Sequence, residues 1–483
     1  MFNRFLTEEK GLALPLAVVI IAVLTILGFT AAYLVESQTT MGLNYSGGEK
    51  ALSAAEAGLN EYIWHINVDP TFPDSDRASS SSFAGYGTFG PQHAVGDTGD
   101  AFYQLNVQLP TATNPNLIVV SRGWPASNPS NTRTFTATLT KSQFCNYIYL
   151  SGSEVIPPNT IVYWTTGDTV NGPLHTNGQL HIDGFPNFLG PVTYSGADPD
   201  VQSGHATYPQ GYPQKIPALT FPASNNDMAT FAKLTGTYFR GRTFIYINGS
   251  KVIIRYTTWD NNNNITGENW LSGVDGKGID IPKEGMVIYV DGTVSGSDSA
   301  SWKNKFDRAA GNAFVSGQLD GRLTIASANN IYITGKDPTN FNYSKATNTG
   351  GLTYKNVKLD TSDDMLGLVA NNDVKILHWG WPSNTSPYYN NQKTDVAPNN
   401  INIYAAILAL NGCFTYEDYS SGYKGYIYLR GALAQSYRGA VGLVSGQGYS
   451  KDYSYDSRML YDSPPHFLQP ENAGWTILSW RYQ

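Results

Sequence analysis

The hydrophobic and polar positions divide the chain into three regimes. From Gly11 to Val35, GLALPLAVVIIAVLTILGFTAAYLV, no side chain is charged, and the run directly follows the charged segment MFNRFLTEEK. A helix rises about 1.5 Å per residue, so one over this run reaches across the roughly 30 Å hydrocarbon thickness of a bilayer while bonding its own backbone. A cleaved secretory signal has an apolar core of about 7–15 residues closed by a small-x-small site. This run continues to Val35 without one, so the pattern predicts a retained membrane-spanning helix. Gly42, Gly47 and Gly48 predict a break or loosening, because glycine costs helix stability through backbone entropy. The helix resumes at Glu49, with Leu52, Ala55, Leu59, Ile63 and Ile66 forming one apolar stripe at intervals of three and four.

Residues 67–100 are polar and turn-rich and read as a loop. Three strands are predicted next, Ala101–Leu109, Leu117–Gly123 and Thr132–Leu139, the first and third alternating as strands with one buried and one wet face do. The third regime runs from Tyr147 to about Tyr428. It repeats short apolar tracts closed by Gly, Asn or Asp, among them YIYLSG, TFIYINGSKVIIRY, MVIYVDG, LTIASANNIYITG and INIYAAILALNG. Such units fit a parallel β-solenoid whose coils stack over a shared core, with a β-sandwich as the alternative. Near the C-terminus, Trp475–Trp480 is an apolar tract able to pair back with the first three strands.

Composition sharpens this picture. The 483 residues include 48 Gly, 26 Pro and 32 Tyr with 14% charged side chains, as expected of many turns and aromatic strands. The net charge of −7 provides no global basic field for nucleic acid or anionic lipid. The two cysteines, Cys145 and Cys413, exclude a disulfide-stapled mini-domain and leave either a long-range pair or two buried thiols.

The junction Lys10-Gly11, the apolar helix and the later segment KALSAAEAGL, Lys50–Leu59, together resemble the N-terminus of PilX-type minor pilins. That resemblance implies cutting by a prepilin peptidase between Gly11 and Leu12. It also implies a helix that sits in membrane lipid and then packs among other pilins on an inner-membrane assembly platform. Major pilins carry glutamate at the fifth mature position; here that position is Leu16, after Pro15, which implies a role other than the main repeating subunit. Pro15 is compatible with the first helical turn, where no backbone N–H is needed, and Gly28 lies within the assembly helix. GPLHTNGQLHIDGFPNFLG and DMLGLVANNDVKI resemble an exported domain joined to PilX-like N-termini, and the architecture is similar to large competence pilins with an inserted β-solenoid.

The expected fold is therefore mainly β with a long N-terminal α-helix, a pilin-like α+β head carrying a large inserted β-solenoid. The expected divisions are a leader over 1–11, the helix over 12–66, the head sheet over 67–141, the solenoid over 142–445 and a return segment over 446–483. The resemblance implies a single-pass protein of the inner membrane, exported on its C-terminal side and displayed at the pilus or cell surface after assembly.

Candidate chemistry is sparse. His181 and Asp183 share a strand face by even spacing but lack a third ligand, and His175 reads as structural. Asp260–Glu268, DNNNNITGE, lacks the glycine and terminal glutamate of a calcium loop and reads as a hairpin turn; Asp360, Asp363 and Asp364 read as turn and cap residues. No GxSxG, HExxH or phosphate loop is present, so neither enzyme activity nor a cofactor or metal is expected. The competence-pilin resemblance raises DNA as a partner, for which Arg240, Arg242, Lys251 and Arg255 form the nearest basic cluster. Exposed Tyr and Trp side chains raise surface glycans as another.

Overall fold

The computed structural model describes residues 13–482 except 70, 73, 80, 81, 98, 111–115, 142, 272–277, 294–303, 340–349, 359–361, 381–393 and 461. The described residues form two compact units, one of 13–110, Asn116–Thr140 and the C-terminal stretch from Trp475, the other of Lys141–Gly474.

The first unit is organised by one helix, α1, spanning Ala13–Val68 without interruption over 56 residues. Its N-terminal part is long and apolar enough to cross a membrane and is unburied, with Leu16, Ile20, Leu24 and Leu27 among its exposed side chains. Thr25 and Thr30 donate their hydroxyls to the carbonyls of Ile21 and Ile26, each at 2.7 Å, so the run's polar groups are satisfied internally. Farther along, Ala55, Leu59, Tyr62 and Ile66 are buried against the sheet, while Leu52 and Ile63 flank them partly buried.

The expected break at Gly42, Gly47 and Gly48 does not occur. A Cβ on Gly47 would meet Asn131 Nδ2 at 2.8 Å, and one on Gly48 would meet an Arg133 guanidinium nitrogen at 3.3 Å. Asn131 also donates to the Asn44 carbonyl at 3.1 Å. Two of the three glycines thus admit side chains from the sheet to the helix surface, and those contacts outweigh the propensity cost.

Ala101–Gln108, Leu117–Pro125 and Arg133–Lys141 pair antiparallel in sequence order, with Trp475–Tyr482 next to the third of them. The stretch 67–100 is more than a loop. It contains a helical turn, Asp74–Ala78, and two short strands, Gly85–Tyr86 and His93–Ala94, on Ala101–Gln108. Buried Asp76 organises it by accepting from the backbone N–H groups of Phe83 and Ala84 and from the Tyr86 hydroxyl.

The second unit is dominated by a 22-stranded, largely parallel sheet. Inward residues stack across it in three ladders. Ile288, Ile325, Leu368, Ile407 and Leu433 form one; Ile245, Val315, Ile333, Ile376 and Tyr416 form another. Leu352, Ile403, Leu429, Tyr453, Val170 and Phe188 form the third. All are buried in one cluster. The pairing rules out the antiparallel β-sandwich alternative; the main antiparallel exception is the meander Thr243–Gly249, Lys251–Trp259 and Ile265–Leu271 at one end.

Spatial order departs from chain order. The first strand, Tyr149–Ser151, pairs with the end of Tyr423–Gln435 on one side and with Leu174–Thr176 on the other. Residues 149–215 therefore extend the stack beyond the C-terminal strands, and the chain returns along the outside to begin the other end at Tyr238. Asn177 clamps this return by bonding both the N–H and the carbonyl of Leu219, at 2.8 and 2.7 Å. Asn225 bonds the Ser327 and Val369 carbonyls at 2.9 and 3.1 Å, and the helix Asn226–Thr235 buries Met228, Ala229 and Ala232. The Asn-containing turns also stack: Asn372 donates to Asn329, and Asn329 to Asn312, each at 2.8 Å.

Candidate functional site

Two regions carry the candidate residues. Within α1, Pro15 and Leu16 lie in the first described turns, Leu16 is 61% exposed, and a Cβ added at Gly28 would meet no group beyond its own neighbourhood within 4 Å. An apolar helical surface with no partner and no charge is suited to lipid or to other apolar helices, and no reacting group lies on it. The proposed cleavage residues Gly11 and Leu12 lie outside the described residues.

In the β unit, the four cations do not form an open basic surface. Arg242 is 1% exposed and pairs with Glu268, whose other oxygen takes Arg255 at 2.7 Å. Lys251 pairs with Asp280 at 3.0 Å. Arg240 alone is exposed, donating to Asn263 Oδ1 at 2.6 Å and lying 4.1 Å from the ring centre of Trp259. A cleft is lined by Arg240, Trp259, Asp291, Gly292, Thr293 and Ala309. In its wall Asp291 accepts from Tyr238, whose phenol is pushed up to about 12 by burial and by that carboxylate.

His181 and Asp183 do not share a site. The register shifts between Ile182 and Asp183, leaving His181 buried and 3.2 Å from Asp200 while exposed Asp183 accepts from Ser203 at 2.5 Å. His175 is fully buried, its ring bonded to Thr193 Oγ1 at 2.8 Å and Asn177 Oδ1 at 2.9 Å. Asp260 accepts the N–H groups of Asn262 and Asn264, closing a hairpin turn. Asp364 joins two coils through the N–H groups of Gly321 and Asn356, and Asp360 lies outside the described residues. Cys145 and Cys413 are two free, buried thiols, each pushed up by burial.

Burial holds His175 below its usual range, against the smaller opposing effect of Asn177. The unfolded ring, near pH 6.5, therefore binds its proton more readily than the folded one. Its contribution to stability is complete above about pH 6.5 and declines as pH falls, by at most about 1.4 kcal/mol per unit. Denaturant unfolding across pH 7 to 5 is expected to show this decline, with a shallower slope in His175→Gln.

One group of charges was invisible in the sequence. Glu154 and Arg438, 0% and 2% exposed, pair at 3.1 Å, and Arg438 stacks 3.9 Å from the Trp164 ring centre. Asp168 adds contacts to Lys451 at 3.3 Å and to Arg438 at 3.9 Å. Desolvation opposes ionisation of Asp168, but Lys451 and Arg438 prevail and hold its carboxyl low; desolvation lowers Lys451. Glu154 and Arg438 lie 284 positions apart, and no local spacing connects them.

Comparison with known proteins bears on α1. Residues 10–60 match the family model described as PilX N-terminal. Among curated proteins no sequence matches the chain. Among solved structures, the chain is similar to the competence-associated pilin ComZ from Thermus thermophilus at 11% identity and a TM-score of 0.24, over 90% of this chain and 97% of that one. That likeness is too slight to bear on fold or function. The chain thus carries a PilX-type, type IV pilin-like N-terminal segment, an attribution resting on residues 10–60.

Proposed function

We infer that the protein is a minor pilin of a type IV filament machine, anchored in the inner membrane before assembly and displaying its large β unit at the filament tip. The observation that carries this reading is the division of labour along α1. One uninterrupted helix leaves Leu14–Val35 bare and apolar, then buries Ala55, Leu59, Tyr62 and Ile66 under a small antiparallel sheet. A core helix would be covered along its length; this one is covered only where the sheet reaches it.

In this reading residues 1–11 are a leader removed by a prepilin peptidase after Gly11, and Leu12 opens the mature chain. Residues 12–66 are the assembly helix, 67–141 the head sheet, 142–445 a β-solenoid and 446–483 the return that brings Trp475–Tyr482 to that sheet. The solenoid reading is supported by the three stacked ladders, since coils that repeat in parallel register bury a continuous core. Leu16, where a major pilin has glutamate, and the bulk of Lys141–Gly474 favour a terminal over a repeating position. The partners are other pilins, the assembly platform and membrane lipid. The work is assembly and contact, with no reaction.

DNA capture through Arg240, Arg242, Lys251 and Arg255 is less well supported, since Glu268, shared by Arg242 and Arg255, and Asp280, on Lys251, already engage three of the four. Quantitative mass spectrometry of filaments sheared from cells tests the main reading. The chain is expected among the filament proteins at far below the amount of the main subunit. Equimolar abundance, or absence from sheared filaments, would contradict it.

A further inference from the structure

We propose that the outward face around Tyr426 and Tyr428 is a binding site for a linear, uncharged polysaccharide. The face is formed by the strand Tyr423–Gln435 between its parallel neighbours Ile401–Ala409 and Gly448–Tyr455. Ile427 and Leu429 point into the core at 0% exposure, so the alternate side chains Tyr426, Tyr428 and Arg430 point outward. The Tyr426 and Tyr428 ring centres are 5.9 Å apart with planes 26° from parallel, and Tyr426 is 43% exposed. Tyr423 and Tyr419, at the start of this strand and in the turn before it, are 56% and 38% exposed.

What surrounds the rings selects the ligand. In register with Tyr428 stand Asn402 and Asp452; beside Tyr426 stands Ser450; beside Arg430 stand Tyr404 and Ser454, and Asn171 follows Ser454 on the next strand. The outward positions flanking Tyr426, Tyr428 and Arg430 on the two neighbouring strands are tyrosine or polar. The charges also cancel. Arg430 is bonded to Asp452 at 3.0 Å, and Lys451 turns to Asp168 at 3.3 Å, which leaves no free cation in these rows for phosphates.

A sugar ring has an apolar C–H face and a rim of hydroxyls. Two neighbouring tyrosine rings can each take one such face, while the amides of Asn402 and Asn171, the hydroxyls of Ser450 and Ser454 and the Asp452 carboxylate can pair with the rim. Because the two rings follow one strand, the saccharide chain runs along that strand. The site lies wholly in the β unit and does not depend on the membrane anchor, so its failure and that of the pilin reading are separate results.

Isothermal titration of the full chain in detergent with cellohexaose, β-1,4-mannohexaose and chitohexaose, at low and high salt, tests this. At least one hexasaccharide is expected to bind with an affinity indifferent to salt. Tyr426→Ala and Tyr428→Ala should each weaken it about tenfold, while Tyr428→Phe, which keeps the ring, retains most of it. Binding by none of the three, or binding that ignores both alanine variants or collapses in high salt, would overturn the proposal. So would self-association of the chain that Tyr428→Ala abolishes, which would make the face an interface between copies. Unchanged circular dichroism of the variants separates loss of the site from loss of the fold.

Discussion

Glu154→Ala is expected to lower the stability of the large β unit by about 3–5 kcal/mol, because it strands a buried guanidinium. Arg438 is 2% exposed and lies on the Trp164 ring, and its short ionic contact is the Glu154 carboxylate; Asp168 is 3.9 Å away and already engaged by Lys451. Glu154 also accepts from the Ser151 and Tyr149 hydroxyls, which would be left without that acceptor. The pair sits where the first strand of the unit meets one of the last: Tyr149–Ser151 precedes Glu154, and Tyr423–Gln435, which pairs with it, precedes Arg438. Its loss should free the first strand from the stack and not merely soften a corner. Chemical denaturation followed by tryptophan fluorescence measures the effect. The double variant Glu154→Leu with Arg438→Met removes both charges together and should recover most of the loss, since an apolar pair of similar bulk leaves no stranded ion. A single-variant cost below about 1 kcal/mol would mean that the guanidinium finds water or another acceptor.

Gly123→Val is expected to have the other large effect, a loss of about 3 kcal/mol or more in the first unit, because it pries α1 from the sheet. A Cβ at Gly123 would lie 2.4 Å from both the Ala51 carbonyl oxygen and the Ala55 nitrogen, backbone atoms of a helix that cannot step aside. Gly58 is the reciprocal contact on the helix, where a Cβ would meet the Tyr103 ring at 2.4 Å. Glycine on both surfaces lets helix and strands approach closely enough to bury Ala55, Leu59 and Tyr62. Gly42→Ala is the internal control. Nothing lies within 4 Å of that position, so the substitution should stabilise the helix by about 1 kcal/mol through propensity alone. Thermal unfolding of the three proteins distinguishes close approach from propensity; equal effects at Gly123 and Gly42 would refute the packing argument.

Much of the fold was legible where a period of two or of three to four dominated. The stripe at Ala55, Leu59 and Ile66 and the alternation in AFYQLNVQL gave the helix and strands of the first unit nearly to their ends. Most of the tracts closed by Asn or Gly became parallel strands of the second, while TFIYINGSKVIIRY folded into the antiparallel hairpin at one end. The continuity of α1 was hidden because the groups that fill the space beside Gly47 and Gly48, Asn131 and Arg133, arrive from a distant strand and the turn before it. The spatial order of the strands was hidden too. YIYLSG and GYIYLRGAL look alike, and nothing local says that Leu150 pairs with Ala434. The basic cluster looked open because sequence shows four cations within 16 positions but not that the hairpin carries Glu268 back between Arg242 and Arg255. The stacked asparagines Asn312, Asn329 and Asn372 were visible only as turn residues; their side-chain ladder needs the coils in register.

The central claim is that the apolar run is kept in the finished protein as an anchor and later as the filament rod. Mass spectrometry of the N-terminal peptide of the native protein, isolated from the membrane fraction, tests it most directly. The account predicts a mature chain that begins at Leu12 and retains the run to Val35. A native protein that begins downstream of Val35 and is recovered free of membrane would contradict it.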